Sequence, residues 1–182
     1  MSPEEAGSLQ RLPPLPAVLR RGELAAPYLT AAAAGDHPRA AAAALDASRR
    51  AVEARQWWPA DTWAHRALWH FEQGEMTLQA ARAARRIGDI RMLGGDPASG
   101  RRYYAEAISE ARDIGAEREE GLAALGLGRA ELELGNVTGA RRLGKIAVDL
   151  LERCGSADGS EVDAARELRG TEQTVGPTEE AR

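Results

Sequence analysis

A regular spacing of small and apolar residues constrains this chain more than any other feature. The equivalent pairs differ by 40 in residue number, and they are Ile87 and Leu127, Gly88 and Gly128, Gly95 and Gly135, Asp96 and Asn136, Ala107 and Ala147, Ile108 and Val148, and Gly115 and Gly155. A fixed period of this size is typical of repeat architectures, in which one supersecondary unit stacks on the next. The spacing therefore predicts stacked helical hairpins.

The turns inside each copy follow from capping chemistry. Only glycine adopts the left-handed backbone conformation at a helix end without steric strain, so a helix is expected to end near Gly95 and near Gly135. Asp96 and Asn136 can then accept hydrogen bonds from the free amides of the next helix. Pro97 suits the first position of that helix, where no N–H is needed.

Small residues within the helices indicate close packing. Gly88 and Gly128 should each lower the stability of their helix by about 1 kcal/mol relative to alanine. Because both copies keep this cost at the same place, we expect close helix-to-helix approach there. Ala107 and Ala147 would serve the same purpose on the second helix of each copy. Gly144 stands in the second copy where Tyr104 stands in the first.

The predicted fold is an all-α solenoid of stacked antiparallel hairpins. Aromatic residues make up only 4% of the chain, which argues against a sheet. One helical domain is expected over 22–169, with a disordered proline-containing arm at 1–21 and a disordered tail at 170–182. Its elements are a leading helix at 22–34, hairpins at about 37–74, 77–115 and 117–155, a partner helix in the first hairpin at about 59–73, and a short closing helix at 161–169.

Composition limits the classes of partner and the compartment. The net charge of −4 does not favour nucleic acid. The single cysteine, Cys154, allows no intramolecular disulfide. With no signal-peptide pattern at the start and no apolar run long enough for a membrane span, the chain is expected in the cytoplasm. Lys145 is the only lysine among many arginines, which indicates a GC-rich, bacterial genome.

No residue set indicates catalysis, a cofactor or a metal. His65 and His70 are five residues apart, so a helix separates them by about 140° and they cannot chelate as an i, i+4 pair does. The acidic run from Glu117 to Glu120 lies at a helix start, where it complements the helix dipole. The sequence therefore predicts a protein that is not an enzyme.

The tryptophans leave two interpretations open. All four lie between Trp57 and Trp69. Trp63 and Trp69 are six residues apart, so they cannot face the same side of one helix. One is expected in the core, and the remainder could pack within the chain or form an interface, where tryptophan is enriched.

The repeat resembles the tetratricopeptide repeat in its longer-helix variety. The resemblance covers about 77–155 and rests on Ile87-Gly88, Gly95-Asp96, Tyr104, Ala107, Leu127-Gly128, Gly135-Asn136, Ala140 and Ala147. It implies a concave groove lined by the first helix of each hairpin. The groove residues that it implies are Arg82, Arg85, Asp89, Met92, Leu122, Leu125, Arg129, Leu132 and Glu133.

Three functions remain open at this stage. The first is an adaptor that binds a partner protein or peptide, for example through an acidic or C-terminal segment. The second is a regulatory or sensor module similar to the helical repeat regions of bacterial transcription regulators. The third is a structural protein that assembles with copies of itself, so a homo-oligomer is possible. None of the three involves nucleic acid or a membrane.

Overall fold

The computed structural model describes residues 12, 14–20, 22–155 and 159–171. These residues contain helices and no strand. The helices are α1 Ala17–Arg20, α2 Ala25–Ala33, α3 His37–Glu53, α4 Trp57–Gln73, α5 Thr77–Leu93, α6 Pro97–Asp113, α7 Glu117–Glu133, α8 Val137–Arg153 and α9 Gly159–Gly170. The predicted all-α fold of antiparallel hairpins is confirmed. None of the described helices is long and apolar enough to cross a bilayer.

The repeat has a finer period than the sequence pattern indicates. Each of the helices from α3 to α8 is 17 residues long. They begin at one constant interval, which is half the spacing of the sequence pattern, and their first residues are His37, Trp57, Thr77, Pro97, Glu117 and Val137. The connections between them are very short, which forces consecutive helices to pack antiparallel.

The turns between these helices share one closure. A left-handed residue recurs at the same interval, at Gly35, Arg55, Glu75, Gly95, Gly115, Gly135 and Gly155. In the turns from Gly35 to Gly135 the following amide donates a hydrogen bond to a carbonyl of the preceding helix, as Asp96 N does to Arg91 O at 2.8 Å and Asn136 N to Glu131 O at 2.8 Å. This is the Schellman closure, which satisfies carbonyls that the helix leaves open. The predicted left-handed glycines are therefore confirmed.

The predicted helix caps are also present. Asp96 Oδ1 accepts a hydrogen bond from Ser99 N at 3.1 Å, and Asn136 Oδ1 accepts one from Gly139 N at 3.0 Å. Asp36 caps α3 in the same way, through Arg39 N. Helix α4 begins at Trp57, two residues before the expected start, after Gln56, whose side chain makes no capping hydrogen bond.

The described residues fall into two compact units, one within Met1–Met76 and one within Thr77–Arg182. In the first unit α2 packs on α3, and α3 pairs with α4. Ser48 Oγ donates to Ala60 O at 2.9 Å where these two helices approach. Trp63 is buried, whereas Trp58 is 56% exposed. The tryptophan segment therefore supplies both a core residue and a surface residue.

Histidines 37 and 70 meet in the first unit, a pairing that the sequence reasoning missed. The Nδ1 atoms of His37 and His70 lie 3.0 Å apart, and His70 Nε2 lies 3.4 Å from the Tyr28 hydroxyl. Tyr28 also packs edge-on against Trp63, with ring centroids 5.2 Å apart. Burial, with His37 and the buried Arg66 nearby, lowers the pKa of His70 to about 4.

The second unit consists of two hairpins and a closing helix. Helix α5 pairs with α6, α7 pairs with α8, α6 packs on α7, and α9 packs on α8 and α7. These hairpins follow one another in sequence order, as in a solenoid. The last part of the core is built around Leu125, Leu143, Val148 and Leu168.

Two glycines of the second unit leave the space in which α9 packs. A side chain at Gly128 would collide with Leu168 of α9 and would lie 3.2 Å from Leu143 Cβ, which confirms the predicted packing contact. At Gly144 an added Cβ would lie 2.6 Å from the backbone nitrogen of Arg169. Gly144 replaces the tyrosine of the earlier copy because the α9 backbone occupies that space.

The N-terminal region differs in detail from expectation. Helix α2 begins at Ala25 rather than near 22, and the one-turn helix α1 lies inside the segment assigned to the arm. Leu15 in that segment is buried. The remainder of the predicted arm, at 1–11, 13 and 21, and of the predicted tail, at 172–182, lies outside the described residues.

Candidate binding groove

A cavity opens between the first helices of the two hairpins in the second unit. Its volume is about 460 Å³. The residues that line it are Asp89, Met92, Leu93, Tyr104, Arg129, Leu132 and Glu133. Helices α5 and α7 supply its two walls, because each hairpin returns the chain to the same side. Tyr104 reaches the cavity from α6.

Tyr104 is buried among small residues. An added Cβ at Gly88 would lie 2.8 Å from its ring, and one at Gly126 would overlap the ring outright. The glycines on α5 and α7 thus make room for one tyrosine. This explains why the mid-helix cost of Gly88 is tolerated.

The Tyr104 hydroxyl donates a hydrogen bond to Asp89 Oδ1 at 2.7 Å. Burial, together with the nearby Asp89 carboxylate, raises the pKa of Tyr104, so the phenol stays protonated and can donate this hydrogen bond. Burial also raises the pKa of Asp89, although this hydrogen bond and the charges of the surrounding arginines act in the opposite direction. The contact fixes the position of the Asp89 carboxylate at the cavity wall.

One turn away from the cavity, two arginines are tied to a buried carboxylate. Glu119 is 4% exposed and accepts a close hydrogen bond from Arg85 Nε. Arg82 Nε lies 3.5 Å from the same carboxylate. Arg85 also lies 3.4 Å from Asp89. Although burial lowers the pKa of Arg85, Glu119 and Asp89 outweigh it and raise the pKa.

These contacts assign the predicted groove residues to three environments. Asp89, Met92, Arg129, Leu132 and Glu133 surround the cavity. Arg82 and Arg85 hold α5 to α7 through Glu119, so their charges are already balanced within the fold. Leu122 is partly buried, and Leu125 belongs to the core beneath the groove.

Sequence reasoning missed three residues of this region. Glu119 was interpreted only as a partner of the helix dipole, since its neighbours Glu117 and Glu120 are also acidic. Leu93 and Tyr104 were not assigned to the groove. The signal for Tyr104 was present in the chain, because one large aromatic residue with glycines at mid-helix on both sides predicts a ring packed against them.

The rim of the cavity carries two charged side chains, Arg129 and Glu133. Arg129 and Glu133 are four residues apart on α7 and both are exposed. Neither forms an ion pair with another residue in the part of the chain that the structure describes. An arginine that precedes a glutamate by four residues is the less favourable order for a helical pair. Leu93, 56% exposed, lies beside them.

Compared with known proteins, the chain matches no family model and no curated protein sequence. Similarity therefore assigns no family, and its function has to be argued from its own residues.

Proposed function

We propose that this chain is a non-enzymatic interaction module that binds a segment of a partner protein in the cavity between α5 and α7. The observation that carries the proposal is the position of this cavity. It lies between the equivalent helices of two successive hairpins, where a tetratricopeptide-like repeat would hold an extended ligand.

The lining of the cavity suits a short peptide segment. Met92, Leu93 and Leu132 offer an apolar surface for one or two side chains. Methionine adapts its shape readily, which favours contact with varied partners. The exposed guanidinium of Arg129 can hold a carboxylate through paired N–H donors. An acidic or C-terminal segment with an apolar residue beside its carboxylate therefore fits best.

The structure alters which arginines are proposed as the anion contact. Arg82 and Arg85 would have to give up Glu119 to bind a ligand, and that would leave a buried carboxylate without its partner. Removing one partner of a buried pair is costly. Arg129 acts on Asp89 through its charge but forms no ion pair among the described residues, so it is the proposed contact.

A peptide library tests the proposal with a defined probe. Immobilised peptides with random sequences would be prepared with free C-terminal carboxylates and, in parallel, with amidated ends. We expect selected peptides to combine an apolar residue with a free terminus or an acidic side chain. Arg129→Ala should weaken their binding about tenfold, since charge-assisted contacts are each worth about 1.5–3 kcal/mol.

Arg169→Ala is the matched control, because Arg169 is also exposed on a helix and forms no ion pair among the described residues. Equal losses with Arg129→Ala and Arg169→Ala would show that binding follows net charge rather than the cavity. A library that yields no preferred peptide at all would count against the module function.

A further inference from the structure

The outer sides of α6 and α8 carry a second charged feature, separate from the groove. It consists of Arg101, Arg102, Arg141, Arg142 and Lys145, here called the basic surface, all of which are exposed. Arg101 and Arg141 occupy equivalent positions of successive hairpins, and so do Arg102 and Arg142. The same pair of cations therefore recurs in both hairpins of the second unit.

The burial pattern shows that these pairs point in the same direction. Helix α6 buries Gly100, Tyr104, Ala107 and Ala111, and α8 buries the equivalent residues of the next hairpin, Ala140, Gly144, Ala147 and Leu151. Because the buried faces correspond, the exposed faces correspond as well. Lys145 lies one turn beyond Arg141 on that face.

A single carboxylate brings the starts of these two helices together. Glu131 of α7 lies 4.0 Å from Arg101 of α6 and accepts a hydrogen bond from Asn136 Nδ2, at the cap of α8, at 2.7 Å. The first turns of α6 and α8 therefore lie within reach of one another. Their cations form one surface rather than two isolated pairs.

Several acidic residues of the second unit are committed to other arginines. Arg112 pairs with Glu120, Arg118 with Glu161, Arg153 with Glu117, and Arg166 with Glu152 and Asp163.

In contrast, Arg102, Arg141, Arg142 and Lys145 form no ion pair within the described part of the chain. Helix α8 has no acidic residue in its first turn and a neutral cap, Asn136, so the positive end of its dipole adds to the potential of these cations. Helix α6 lacks this contribution because the Asp96 carboxylate caps it.

We propose that the basic surface binds an acidic segment of a partner protein. Arginine presents a planar fork of donors that matches a carboxylate, and four arginines on two helices can engage successive acidic side chains. Single-stranded nucleic acid is disfavoured because its binding also uses exposed aromatic side chains for stacking, and none is exposed among the described residues of α6 and α8.

Binding of a fluorescein-labelled deca-glutamate peptide to the full chain, followed by anisotropy at low salt, tests this surface. We expect saturable binding that weakens as salt rises. Arg142→Glu and Arg102→Glu should each weaken it at least about fivefold, because each replaces an attractive contact by a repulsive one.

Arg55→Glu is the matched control, since it changes the net charge equally, and the left-handed position of the next turn already carries Glu75. Circular dichroism should show that all three variants keep the wild-type helix content. The control should bind the peptide within about twofold of the wild type.

No saturable binding of the peptide, or an equal loss in the Arg55→Glu control, would overturn the proposal. So would tighter binding of a labelled oligothymidine or of anionic vesicles at the same ionic strength, because the partner would then be a nucleic acid or a membrane. Arg129→Ala is measured alongside these variants. A loss of deca-glutamate binding as large as that of Arg142→Glu would place the peptide in the groove and overturn this proposal.

Discussion

The guanidinium of Arg85 on α5 holds the buried carboxylate of Glu119 on α7, 34 residues further along the chain. This pair joins the first helices of two successive hairpins directly beside the cavity. Arg82 lies at the edge of the same carboxylate, and Asp89 links Arg85 to Tyr104. The groove wall is therefore stabilised by a charged network rather than by apolar packing alone.

Arg85→Ala is expected to lower the free energy of unfolding by about 3 kcal/mol, since Glu119 would stay buried without its main partner. Arg82→Ala should cost less than about 1 kcal/mol, because its side chain is 56% exposed and its contact is longer. Urea denaturation of both variants measures the difference. Equal effects would mean that the two arginines share Glu119 evenly.

Tyr104→Phe removes one hydroxyl without changing the ring that packs against Gly88 and Gly126. We expect a loss of about 1 kcal/mol, the usual net value of one hydrogen bond. The hydrogen bond lowers the pKa of Asp89, so its removal should raise that pKa further. Carbon-detected NMR titration of Asp89 would measure the shift, and an unchanged or lower pKa would contradict the contact.

Gly144→Ala should separate α9 from α8, because the added methyl group meets the backbone of Arg169 rather than a movable side chain. We expect destabilisation by about 1–3 kcal/mol, the range for overpacked cores. Gly170→Ala is the control, since no atom outside its own helix turn lies near that position. Thermal unfolding should show a lower Tm for the first variant only, and the opposite order would place α9 elsewhere.

Acid should weaken the first unit through His70. Its pKa of about 4 in the folded chain lies below the ordinary value of 6.5, so the unfolded chain binds the proton first. The stability that neutral His70 provides is complete above pH 6.5 and is lost as the pH falls toward 4. By pH 4.5 the loss should reach about 2–3 kcal/mol.

The control for this titration is His70→Phe, which replaces the imidazole of His70 by an aromatic ring that cannot bind a proton. His70→Phe should flatten the pH dependence of unfolding between pH 6.5 and 4.5. A His70→Phe chain that loses stability as steeply as the wild type would assign the effect to carboxylates instead.

Local chemistry in the sequence was enough to predict the hairpins and their turns. Gly95, Asp96, Gly135 and Asn136 act through contacts a few residues away, so their roles follow from capping rules alone. The regular hairpin period also predicted that α5 and α7 share a side. These features depend on spacing along one chain, which a sequence displays directly.

Only the tertiary structure decided which side chains are free to bind. Arg82, Arg85 and Arg129 look alike in the sequence, yet Glu119 holds the first two, and Arg129 forms no ion pair within the described residues. Leu125 lies in the core rather than in the cavity, and His37 meets His70 across a separation of 33 residues. The physical reason is the same in each case: charge pairing and burial depend on which helices meet, and a local pattern does not contain those distances.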